Sequence, residues 1–213
     1  MTAQPRLPSP MTLPAMQGYV GDIVAARGFT KDLNEVFILL VEEVGELAAE
    51  LRNRVFYPHR FDPLNLAHEL ADILLYLLDL ANGFQVDLMG CWLDHARNND
   101  LRFAERRTGR DSPVHLENGS SLNGLQIYLD AKRRERGFED SPEMLMVLLS
   151  GEVGEIATEI RKTWKGMASS HCAAYEIIDS MTYLLRIAHW FDVDIEVAVR
   201  EKEERNASRH WQY

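Results

Sequence analysis

Glu43 and Glu46 stand three residues apart in the stretch LLVEEVGELAAEL (39–51), and Glu69 and Asp72 stand three apart in HELADILLYLL (68–78). Residues three or four apart share a face of a helix, so each pair presents two carboxylates side by side. Like charges at that spacing repel by a few tenths of a kcal/mol each, and no lysine lies within the first stretch to offset them. Carboxylates gathered in one place cannot all stay ionised without a partner. Oxygen-only ligand sets suit Mg²⁺ or Mn²⁺, and a cation held by a few carboxylates, with positions left for water, is a means of handling phosphate esters. The same spacing recurs as Glu152 and Glu155, then Glu176 and Asp179.

For these carboxylates to meet, two helices must carry them at matching angles. At about 100° per residue, Leu40, Val44, Leu47 and Leu51 form a buried stripe, and Glu43, Glu46 and Glu50 fall on one side of it. Leu66, Leu70, Ile73, Leu74 and Leu77 form the stripe of the next helix, with Glu69 and Asp72 at the same offset. Packed antiparallel, the two acidic edges bring Glu43, Glu46, Glu69 and Asp72 together. Glu50 lies outside this group and is expected to be solvated.

The recurrence extends over nearly the whole chain. LQIYLDAKRRERGF (125–138) lies under MQGYVGDIVAARGF (16–29), so Gln126 falls under Gln17, Tyr128 under Tyr19 and Arg136 under Arg27. At the same offset SGEVGEIATEIR (150–161) lies under VEEVGELAAELR (41–52). YEIIDSMTYLL (175–185) then lies under HELADILLYLL (68–78), after a loop two residues shorter. A fixed long period of this kind marks a tandem duplication. It predicts a disordered tail over 1–15, a first unit over 16–106, a polar Gly/Ser/Pro-bearing linker over 107–121 and a second unit over 122–213. Apolar residues recur every three or four positions with no useful alternating run, which predicts an all-α fold. Helices are expected near 16–27, 33–54, 64–82 and 86–106, and again near 122–136, 142–164, 171–190 and 194–209. Short connections between long helices make antiparallel neighbours, so each unit reads as a four-helix-bundle-type half.

The 213 residues carry a formal net charge of −10, which argues against a general nucleic-acid partner, since phosphate backbones need a basic surface. It leaves room for one nucleotide, because a bound divalent cation inverts the local charge logic. The longest apolar run, ADILLYLLDLA, contains two aspartates and is too short to span a bilayer, so no membrane partner is expected. Cys91 and Cys172 make no disulfide framework, and with no signal-peptide pattern at the start a reduced, cytoplasmic setting is expected.

EEVGE (42–46) followed by ELAD (69–72) resembles the EExxE…ExxD signature of the MazG-like all-α NTP pyrophosphatases. That superfamily also holds the dimeric dUTPases, the dCTP pyrophosphatases and phosphoribosyl-ATP pyrophosphohydrolase. The resemblance covers residues 16–106 and 122–211, and KEERNASRHW (202–211) is similar to the K…N..R pattern that follows the last long helix. It implies Mg²⁺-dependent hydrolysis of a nucleoside triphosphate, ribo or deoxy, to the monophosphate and pyrophosphate, as a house-cleaning activity on the nucleotide pool. By the same resemblance Glu43, Glu46 and Asp72 are metal ligands and Glu69 a ligand or its neighbour, with Glu152, Glu155, Glu176 and Asp179 at the second set. Glu42 would orient or deprotonate the attacking water, and Lys202, Asn206 and Arg209 would hold phosphate oxygens.

The two units depart from the pattern differently. Gly151 stands where the first unit has Glu42, and His95 stands where the second has Lys202. Members of the superfamily form tight dimers, so the resemblance implies an intrachain pseudo-dimer. Its main site would be composite, with acids from the first unit and Lys202, Asn206 and Arg209 from the second. Trp164 is a candidate for stacking on a base, and Gln17 and Gln126 are candidates for reading one. A phosphoribosyl-ATP-type or other nucleotide substrate is the alternative on the same chemistry. A non-catalytic helical scaffold that binds metal or nucleotide is the alternative of another class. A homodimer of the tandem chain stays open, as does the identity of the base.

Overall fold

The computed structural model describes residues 5–106, 114–167 and 169–207, and within them the secondary structure is helical with no strand. Eight α-helices are seen among the described residues: α1 (Leu13–Arg27), α2 (Leu33–Phe56), α3 (Pro63–Gly83), α4 (Leu88–Arg102), α5 (Leu122–Glu135), α6 (Pro142–Thr163), α7 (Ser170–Trp190) and α8 (Ile195–Ala207). Most starts are written locally. Asp32, Asp62, Asp87, Ser121, Ser141 and Ser169 each accept a hydrogen bond from a backbone N–H in the first turn of the helix that follows, and Pro63 and Pro142 supply a preset φ at the first helical position. Gly28 (φ +68°) closes α1 in the left-handed region, and Gly137 (φ +63°) does so after α5, a conformation that is cheap only for glycine. Gln85 (φ 58°) and Asp192 (φ 55°) take the same unfavoured conformation at corresponding points after α3 and α7.

α2 packs along α3 and α6 along α7, two long hairpins whose inner faces carry the leucine stripes. Leu40, Leu47, Leu66, Leu70, Ile73, Leu74 and Leu77 are fully buried, as are Leu145, Leu149, Ile156, Ile177, Ile178 and Leu184. The hairpins meet through α3 on α7 and α2 on α6, while α1 lies on α3 and α5 on α7. The last helix of each unit crosses over: α8 packs on α3 and α4 packs on α7. α3 is therefore surrounded by α1, α2, α7 and α8, which explains why it is apolar on almost every side.

Three features differ from the expected outline. α1 begins at Leu13, inside the stretch read as a tail, because Met11 and Leu13 are buried and the Met11 carbonyl accepts from the Leu122 N–H at 3.0 Å. α4 ends at Arg102, and a short 3₁₀ turn (Ala104–Arg106) follows it. Glu50 is buried: its carboxylate accepts from the Asp62 N–H at 3.1 Å and the Asn65 side chain at 3.0 Å. It organises the α2–α3 connection and is not solvated.

Candidate metal centre

Glu43 on α2 meets Glu69 and Asp72 on α3, and the three carboxylates offer ligand atoms within 4.8 Å of one another. Glu69 is 3% exposed and Asp72 8%, so both acids are held where an unpaired charge is costly. The consequence is visible in their protonation. Burial pushes the Glu43 carboxyl up to about 8, helped by the negative charge of Asp72 and a hydrogen bond with Glu69, while Lys202 pulls the other way. Burial also raises Glu69, whose Oε2 is buried with no hydrogen-bond partner. Oxygens on opposite sides of a Mg²⁺ ion lie about 4.2 Å apart, twice the bond length. Carboxylate oxygens within 4.8 Å of one another, one of them orphaned, are the donor set such an ion takes.

Lys202 reaches across from α8 and forms an ion pair with Asp72. Next to it Glu203 accepts from Tyr19 Oη at 2.7 Å and from Arg27 Nη2 at 2.9 Å. Asn206 is 7% exposed and donates through Nδ2 to Glu203 at 3.2 Å, which leaves its buried Oδ1 without a partner. Its amide nitrogen is thus committed to Glu203. Beside these groups lies a cavity of about 210 Å³ whose lining includes Glu43, Asp72, Lys202 and Asn206, the rings of Tyr19, Phe29 and Tyr76, and Asp79.

The second group, Glu152, Glu176 and Asp179, also offers ligand atoms within 4.8 Å of one another but is more open, with all three half-buried. Burial raises all three carboxyls, Asp179 to about 6. Its partner from the other unit is His95, whose Nε2 lies 3.6 Å from Asp179. Burial and the charges of Arg136 and Arg102 hold His95 below its usual pKa, which favours the neutral ring, stacked 4.9 Å from Tyr175. A cavity of about 140 Å³ in this half is lined by Asp130, Arg133, Asp140, Arg186, His189 and Trp190 and does not reach the carboxylates.

Other sequence candidates fall outside these groups. Glu46 and Glu155 are exposed and belong to neither trio, although their charges raise Glu69, Glu152 and Glu176. Glu42 is exposed and is not among the residues lining the cavity. Trp164 is 68% exposed and donates through its indole N–H to Asn34 at 3.0 Å, away from the cavity lining. Gln17 donates to the Val86 carbonyl and accepts from the Leu88 N–H, while Gln126 does the same with Val193 and Ile195. Both amides are brackets between helices, and neither is free to read a base. Arg209 lies outside the described residues.

Two parts of the site escaped the sequence reading. The Tyr19–Glu203–Arg27 network joins residues 184 positions apart, and no local spacing announces it. Asp79 does carry a signal: its counterpart in the duplicate is Arg186, a reversal of charge at one matched position. No family model, no curated protein and no solved structure matches this chain.

Proposed function

We propose that the chain is a Mg²⁺-dependent nucleoside triphosphate pyrophosphohydrolase of the MazG-like kind, working at the first carboxylate group. The observation that carries this reading is Lys202, delivered by the last helix onto Asp72 in the wall of a cavity that also holds Glu43 and three aromatic rings. One end of that cavity offers charge to a polyphosphate and the other offers flat apolar surface, the division a nucleotide requires. We read the whole chain as a duplicated unit folded into its own pseudo-dimer. The crossed last helices, the twin glutamine brackets and the matched turns at Gln85 and Asp192 support this.

Glu43, Glu69 and Asp72 are the residues that would hold the cation, which supplies offsetting charge for the phosphates. Lys202 donates to a phosphate oxygen. Glu42, one residue from Glu43 on the exposed side of α2, accepts a proton from the attacking water. The new P–O bond forms as the bond from the α-phosphorus to the bridging oxygen breaks, and pyrophosphate leaves with that electron pair. The residues exclude bulk water on the buried side through Val20, Ile23, Val36 and Leu39.

Pyrophosphate release from a panel of ribo- and deoxynucleoside triphosphates tests the proposal. Release is expected with Mg²⁺, and it should vanish with EDTA or in Glu43→Gln. Absence of release across the panel with both Mg²⁺ and Mn²⁺ would favour the binding-scaffold reading instead.

A further inference from the structure

Asp79 lies on α3 seven residues beyond Asp72. Two helical turns separate them, so the two carboxylates share a face about 10 Å apart along the axis. Both line the same cavity. That span is comparable with the distance from the α-phosphate of a nucleotide to the hydrogen-bonding edge of its base. Among the described residues no hydrogen bond or ion pair is made by Asp79. Burial pushes its carboxyl up to about 6, with Lys31 pulling it back. The lining of that cavity also includes Tyr19, Ile23, Val24, Phe29, Leu75 and Tyr76, a largely apolar set. A half-buried acid with no partner in such a cleft is costly to keep, and polar groups of that kind concentrate where a ligand meets them.

The duplicate shows what the corresponding place looks like when its charges are paired within the protein, in a smaller cavity of about 140 Å³ lined by Arg133 and Arg186. Arg186 replaces Asp79 and pairs with Asp140. Lys132 replaces Ile23 and pairs with Asp100 at 2.9 Å, and Arg133 replaces Val24 and pairs with Asp130 at 2.9 Å. Every charge there has a partner within the protein. In the first unit the three basic residues are absent from the matched positions, and Asp79 lines a cavity of about 210 Å³.

We infer that Asp79 is the specificity-determining residue of the cavity, accepting two hydrogen bonds from a base that presents a ring N–H beside an exocyclic amine, the edge of guanine. The inference rests on the cavity being a nucleotide site. An ionised carboxylate only accepts, and two parallel N–H donors are the arrangement it binds most strongly. Uracil and thymine flank their ring N–H with carbonyls that repel it. Adenine and cytosine set an amine beside a bare ring nitrogen, which matches only a protonated acid. Hypoxanthine keeps the ring N–H and lacks the amine, so it isolates one of the two bonds.

The test uses the full chain with Mg²⁺. Pyrophosphate release is measured with dGTP, dITP, dATP, dCTP and dUTP, and binding is measured by calorimetry with the α,β-methylene analogues of dGTP, dITP and dATP. The parent chain is expected to prefer the guanine nucleotide over the hypoxanthine one by roughly 10- to 100-fold, the discrimination of one good bidentate contact. Asp79→Asn should remove that preference in both measurements while the protein stays folded by circular dichroism. A guanine-to-hypoxanthine ratio that is the same in Asp79→Asn and the parent overturns the inference. A parent chain that binds the dGTP analogue through Asp79 yet releases no pyrophosphate upholds it and sinks the hydrolase reading. Failure of the analogues to bind at all overturns both.

Discussion

The first carboxylate group faces a lysine and an open cleft, whereas the second faces a histidine and a net of ion pairs. Each trio gathers two glutamates and an aspartate with ligand atoms within 4.8 Å of one another, so the presence of an acidic group is not what distinguishes them. The difference lies in what each is given from across the chain. Lys202 brings a fixed positive charge to Asp72. His95 brings a ring that burial and two arginines keep from charging. In the first half a cavity reaches the acids; in the second, the cavity lined by Arg133 and Arg186 stops short of them, and Lys132, Arg133 and Arg186 are paired with acidic partners. An acidic motif can therefore persist for the sake of the fold while its surroundings decide whether it meets a ligand.

The sharpest way to break this comparison is to remove one acid from each trio. Glu43→Gln is expected to lower pyrophosphate release by about 1000-fold, the scale of losing a group that stabilises charge in the transition state, while Glu152→Gln leaves turnover nearly unchanged. Equal losses would mean that the halves share the work. Next in size is the proton acceptor: Glu42→Gln should cost several hundred-fold, within the roughly 10²–10⁴ range of general base catalysis. Gly151→Glu restores the acid in the duplicate, and nothing lies within 4 Å of where its Cβ would be, so it should fold normally yet gain little without Lys202's counterpart.

Lys202→Ala follows, with a loss on the order of 100-fold and a lower melting temperature, since the buried Asp72 loses its ion pair with Lys202. His95→Ala should barely alter activity. A reversed ranking, with His95 the more sensitive, would move the working site to the second trio.

The smallest expected effects are in stability, and they oppose each other. Arg186→Asn leaves Asp140 unpaired and should destabilise by about 3 kcal/mol, as breaking a buried pair does. Asp79→Asn should do the reverse. The Asp79 carboxyl is raised to about 6 in the fold, so its stabilising contribution is complete below pH about 4 and is lost as pH climbs through about 6. The amide carries no charge at any pH. Asp79→Asn is expected to melt above the parent chain at pH 8 and to converge with it near pH 4 by scanning calorimetry. A variant that melts below the parent at pH 8 would show that Asp79 has a partner in the folded chain.

Much of the architecture was legible because it is periodic. The leucine stripes set the buried faces of α2 and α3. The wheel also put Glu43, Glu69 and Asp72 on meeting edges. It put Glu46 on the same edge, where it is exposed and outside the carboxylate group. It misjudged Glu50, because whether an edge residue is wet depends on the loop that folds over it, here Asp62 and Asn65. Gln17 invited a functional reading because it recurs, yet what recurs is a bracket to the α3–α4 connection. Glu203's network with Tyr19 and Arg27 lay beyond reach, since it depends on which unit each last helix packs against.

The crossing of α8 onto α3 has a consequence for how the protein comes into being. Contacts such as Tyr19–Glu203, 184 residues apart, form late, because long loops must close before they are rewarded. During synthesis the first half emerges with its acids in place but without its lysine. In the folded chain the lysine beside Asp72 comes from α8, so the first unit by itself would carry the acids without that cation.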